Sequence, residues 1–107
     1  MPQYVVLMDH TPQTCPGASK RVREFASETL GSRVPELSAQ LGVELRQALH
    51  LDPGHQTLLV VEAPSVEAVR DLVFEGGLSQ WNDVRVYPTT PVAELMERSG
   101  GWPPLHD

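Results

Sequence analysis

Tyr4 to Met8 is an unbroken apolar run closed by Asp9, Thr11 and Pro12. Its length and its aromatic and β-branched residues predict a short strand. Apolar side chains fall on both faces, Val5 and Leu7 on one, Tyr4, Val6 and Met8 on the other, as in a strand covered on both sides. Near Ser19 the period changes. Val22, Phe25, Ala26 and Leu30 recur at steps of three and four, the spacing of one helical face. Gly31 and Pro35 interrupt this stripe, yet Val34, Leu37 and Leu41 continue it. The pattern predicts two helical pieces or one kinked helix, with Pro35 in the first turn of the second piece and Gly42 as the stop.

Val43 to Leu51 alternates, with Val43, Leu45, Leu49 and Leu51 on one face and Glu44, Arg46, Ala48 and His50 on the other. That is a half-exposed strand, expected at a sheet edge. Asp52-Pro53-Gly54 turns the chain, and Leu58 to Val61 forms a second strand apolar on both faces. Ser65 caps a helix through Val66, Val69, Leu72 and Val73, which Gly76-Gly77 ends. Asp83 to Tyr87 reads as the last strand. Pro91 opens a short helix through Leu95 and Met96 that stops at Gly100-Gly101. The remaining tail, Trp102 onward, is expected to be loose or to lie across a neighbour.

The order β-α-β-β-α-β describes one ferredoxin-like α+β domain over residues 1–98, with a tail over 99–107. Four antiparallel strands carry both helices on one face, and the first helix is broken or kinked. The opposite face is then apolar and uncovered on strands one and three. On so small a domain that face calls for a partner, and a symmetric homodimer packed sheet to sheet is the simplest.

The strand Tyr4-Val-Val-Leu-Met8, the segment Val61 to Val69 and the ending Trp81-Asn-Asp-Val-Arg-Val-Tyr-Pro88 resemble the dimeric α/β-barrel superfamily over residues 3 to 98. That superfamily includes muconolactone isomerase-like proteins and antibiotic-biosynthesis-type monooxygenases. The resemblance implies a fold and a dimer. It carries over no catalytic residue, because one fold hosts many chemistries.

Eight basic against fourteen acidic residues give a formal charge of −6. Such a surface repels phosphate backbones and anionic lipid, which argues against nucleic acid and membrane as partners. The short cluster Lys20, Arg21, Arg23 reads as a solvated helix face. One cysteine forms no internal disulfide, and the N-terminus lacks a basic region with a long apolar stretch. A cytoplasmic protein is expected.

The candidate chemistry lies where strands end. His10 and Cys15 follow the first strand, and His50 and His55 flank the Asp-Pro-Gly turn. Neutral imidazoles and a thiolate suit Zn, Ni, Cu or Fe, with Asp9 or Asp52 as a possible oxygen ligand. A four-residue hairpin loop would pair His50 with His55 directly. A three-residue loop would set Glu44 against Glu62, a like-charge pair that disfavours it. The plain alternative is that Cys15 is a small buried hydrophobe and the histidines are polar strand ends.

Three functions follow. The first is a metal or small-ligand binding protein using His10, Cys15, His50 and His55. The second is a small enzyme, of isomerase, cyclase or monooxygenase type, in which His10 and His55 act as acid and base. Asp9 or Asp83 would be the partner of His10, and Trp81 and Asp83 would border the pocket. The third is a non-catalytic interaction module that uses Trp102. No phosphate-binding glycine loop or nucleophile elbow is present.

Overall fold

Strand β1 (Gln3–Asp9) lies inside a four-stranded antiparallel sheet with β2 (Glu44–Leu51), β3 (Gln56–Glu62) and β4 (Asp83–Pro88), in the order β2-β3-β1-β4. The computed structural model describes residues 1–103. Each helical crossover passes over one intervening strand, β3 in the first unit and β1 in the second, the split β-α-β arrangement.

The first crossover is one kinked helix. α1 (Lys20–Glu28) runs through a π-turn at Thr29–Arg33 into α2 (Val34–Leu41) without leaving helical geometry. Pro35, which lacks an N–H, is tolerated at the head of α2. The Ser19 hydroxyl caps α1 by accepting from the Val22 N–H, and Gly42 ends α2 in the left-handed conformation at φ 71°. In the second crossover Ser65 caps α3 (Val66–Glu75) by accepting from the Ala68 N–H. α4 (Val92–Ser99) follows β4 and buries none of its residues.

Both crossovers cover the same sheet face. Tyr4, Val6 and Met8 of β1 and Leu59 and Val61 of β3 meet Val34 of α2 and Val69, Leu72 and Val73 of α3 in one core. On the uncovered face, the strand register aligns Leu49, Leu58 and Leu7 in one row across the sheet. Val60, Val5 and Tyr87 form the next. Leu49 keeps 46 % of its surface exposed and Tyr87 47 %.

The β2–β3 hairpin departs from the sequence expectation. Leu51 pairs with Gln56 and His50 with Thr57, so His50 and His55 do not face each other. A bulge between Leu45 and Gln47 then shifts the register, and Glu44 comes to stand opposite Glu62. The extra residue also breaks the strict alternation expected along β2: Leu45 pairs with Val61 of the core face, whereas Leu49 belongs to the uncovered one.

Trp102 is exposed. Of the tail proposed from sequence, residues 104–107 lie outside the described part. Among the described residues no helix is long and apolar enough to cross a membrane.

Candidate metal centre

Residues just beyond the ends of β1 and β3 build the site. The β1–β3 ladder pairs Asp9 with Gln56, and a further hydrogen bond from the His10 N–H to the His55 carbonyl (2.9 Å) extends it by one residue. Alternation along β1 puts His10 on the helix-covered face with Met8, and His55 pairs with it there. The two rings meet edge to face with centroids 5.2 Å apart.

Cys15 is brought back to this pair by a tightly bonded loop. Thr11 and Thr14 cap each other around the turn Pro12–Thr14, the Thr11 N–H donating to Thr14 Oγ1 (2.9 Å) and the Thr14 N–H to Thr11 Oγ1 (3.2 Å). The Cys15 carbonyl accepts from the N–H groups of Ala18 (3.0 Å) and Ser19 (3.1 Å), and the Gly17 N–H donates to Cys15 Sγ (3.4 Å). Arg23 reaches back from α1, its Nε donating to the Pro16 carbonyl at 2.9 Å. Sequence reasoning assigned Arg23 to a solvated helix face; in the fold it clamps the loop that carries Cys15. The Thr-x-x-Thr spacing was the available signal for the loop, whereas nothing local marks Arg23.

His10, Cys15 and His55 each offer a ligand atom, and these atoms lie within 4.8 Å of one another. An ion with ordinary Zn–N and Zn–S bonds holds its donors about 3.3–3.8 Å apart, so closure by about 1 Å through side-chain rotation suffices. His10 is the anchor. It retains 9 % of its exposure; among the described residues neither Nδ1 nor Nε2 has a hydrogen-bond partner of ordinary geometry, although the Asn82 side chain lies close enough to favour the charged ring. Buried polar atoms of this kind cost about 1–3 kcal/mol each unless something binds them. Burial first, and the neighbouring His55 second, hold the His10 pKa below its ordinary value, which favours the neutral, ligating imidazole.

The other candidates separate. His50 lies outside the three-residue group, and its Nδ1 is 2.6 Å from Asp52 Oδ1. Asp9 points to the opposite sheet face, where Arg85 and then Gln56 bind its carboxylate and hold its pKa below the usual carboxylate range. Asp83 pairs with Asp9 in the β1–β4 register and borders a different groove beside Arg70 and Phe74. Neither aspartate is bonded to His10. Trp81 does flank the site, its ring centroid 5.7 Å from that of His10, and its buried Nε1 has no hydrogen-bond partner among the described residues.

A groove of about 560 Å³ opens from His10 and Cys15 along α1, walled by Ala26, Leu30 and Trp81 and bordered by Thr57 and His50. Sheet, helices and site together define a ferredoxin-like α+β protein with a His-Cys-His cluster at one end of its sheet. Among solved structures, the chain is similar to the de novo designed protein Ferredog-Diesel, with TM-score 0.52 and 15 % identity over 81 % of this chain and 84 % of that one. That likeness concerns the fold alone. No protein-family model and no curated protein matches the chain.

Proposed function

We propose that the protein binds a transition-metal ion through His10 Nδ1 or Nε2, Cys15 Sγ and a ring nitrogen of His55. The observation that carries this reading is the buried His10 ring, grouped with a thiol and a second imidazole and with no hydrogen bond of ordinary geometry to either nitrogen among the described residues. One thiolate and two imidazoles suit Zn²⁺ and also Cu, Ni²⁺ or Fe. Three protein donors leave a coordination position open, the arrangement of metal sites that bind or transform an exogenous molecule.

A second copy of the chain belongs to the same reading. The apolar rows Leu49-Leu58-Leu7 and Val60-Val5-Tyr87 support it, as does α4, whose Val92, Leu95 and Met96 are exposed. An eight-residue helix with no buried side chain is too short to hold itself in water and gains stability by packing its apolar stripe on a neighbour.

Metal analysis of untagged protein tests the first part. The expected result is about one transition-metal ion per chain, lost in Cys15→Ser with the fold retained by circular dichroism. Metal content unchanged in Cys15→Ser, or wild-type protein that takes up neither Zn²⁺ nor Co²⁺, removes the reading.

A further inference from the structure

The groove beside the cluster has a built acid–base group that the ion does not use. His50 is on the helix-covered face, paired with Thr57, and borders the groove with His10 and Cys15. Its Nδ1 lies 2.6 Å from Asp52 Oδ1. An ionised carboxylate can only accept, so the Nδ1 of a neutral His50 carries the proton and Nε2 keeps its lone pair. A carboxylate thus fixes both the tautomer and the ring orientation, as it does for many working histidines.

The walls restrict what enters. Ala26, Leu30 and Trp81 are apolar or largely so, and among the described residues Arg23 is the sole side chain with a full formal charge on the lining. With an ion at the cluster, the groove is an electropositive, mostly apolar slot in a protein of net charge −6. Its volume suits a small organic molecule rather than a polymer.

On the metal-binding reading above, we propose that the groove takes a compact molecule with an apolar body that chelates the ion through an ionisable O–H, and that His50 accepts the proton released. The O–H bond breaks, its proton moves to His50 Nε2, and the electron pair stays on the oxygen, which donates it to the ion. The imidazolium formed stays bonded to Asp52. Arg23 adds a favourable field for the resulting anion while its Nε holds the Pro16 carbonyl. His50 is accordingly a proton acceptor for the bound molecule and no ligand of the ion.

Co²⁺-loaded protein and benzohydroxamate test this. Wild type and His50→Gln should show the same thiolate-to-Co²⁺ absorption, since His50 stands outside the ligand group. Benzohydroxamate should perturb the wild-type Co²⁺ spectrum and bind about tenfold more weakly to His50→Gln and to Asp52→Asn, the loss expected for one hydrogen bond to a charged group. Equal affinity in wild type and His50→Gln, or no binding to loaded wild type, overturns the proposal and leaves the ion in place. An absent thiolate band in wild type removes the metal reading and this one with it.

Discussion

Glu44 and Glu62 stand opposite each other on β2 and β3, and Arg46, the residue skipped by the bulge in β2, binds both. Its Nη2 donates to Glu44 at 2.6 Å and its Nε to Glu62. A like-charge pair that counts against a register in isolation becomes tolerable when the bulged residue between its members is a cation. Glu62, and then Glu44, raise the pKa of Arg46. Replacing Arg46 by Ala should lower the thermal midpoint, most at low salt, because the ion pairs are solvent-accessible and screened. Adding Glu44→Gln should restore it. An unchanged midpoint in Arg46→Ala at low salt contradicts this account.

The separation of the two turn histidines is directly measurable. His55→Ala should weaken Zn²⁺ binding by more than the roughly 10- to 100-fold that supporting partners contribute elsewhere. His50→Ala should leave both stoichiometry and affinity unchanged. Competition against a chromophoric chelator reads both variants.

Apoprotein stability should depend on pH through His10. Its folded pKa lies below the ordinary histidine value of 6.5, so the unfolded chain binds more protons as pH falls. The stabilisation is therefore full above about pH 6.5 and is lost as pH drops through the folded pKa. Asp9, lowered from 3.8, acts in the same direction but only below that value. Urea midpoints between pH 4.5 and 7.5 should rise with pH, and His10→Asn should flatten the slope. Parallel curves for the two proteins would assign the dependence elsewhere.

Two glycines near the kinked helix should respond oppositely. Gly77 has φ +82°, and a Cβ there would sit 3.0 Å from Thr29 Cγ2 and 3.3 Å from Phe25 Cζ. Gly77→Ala should cost about 1–3 kcal/mol. Gly31 is helical with nothing within 4 Å of a built Cβ, so Gly31→Ala should add about 0.5–1 kcal/mol. Chemical denaturation of both variants against wild type decides.

Association should require the uncovered sheet face. Leu58 lies at the middle of the apolar row between Leu49 and Leu7. Leu58→Glu should sediment as one chain of 11.8 kDa, whereas wild type at micromolar concentration should sediment as two. A wild-type monomer would mean that the face has another occupant.

What the chain states locally, it states well. The doubly apolar run at Tyr4–Met8, the helix start near Ser19, the cap at Ser65, the stop at Gly42 and the broken stripe around Gly31 and Pro35 all correspond to the observed elements, because period and cap chemistry act within a few residues. His10 and Cys15 were legible as neighbours for the same reason. Which imidazole joins them was not. His55 is chosen by the β1–β3 ladder, and His50 is set aside by the hairpin register that pairs it with Thr57. The clamp of Arg23 on the Pro16 carbonyl likewise depends on where α1 meets the loop. Strand register, bulges and reach-back contacts are settled by the energy of chain segments meeting across the fold, and no local stretch of sequence carries that sum.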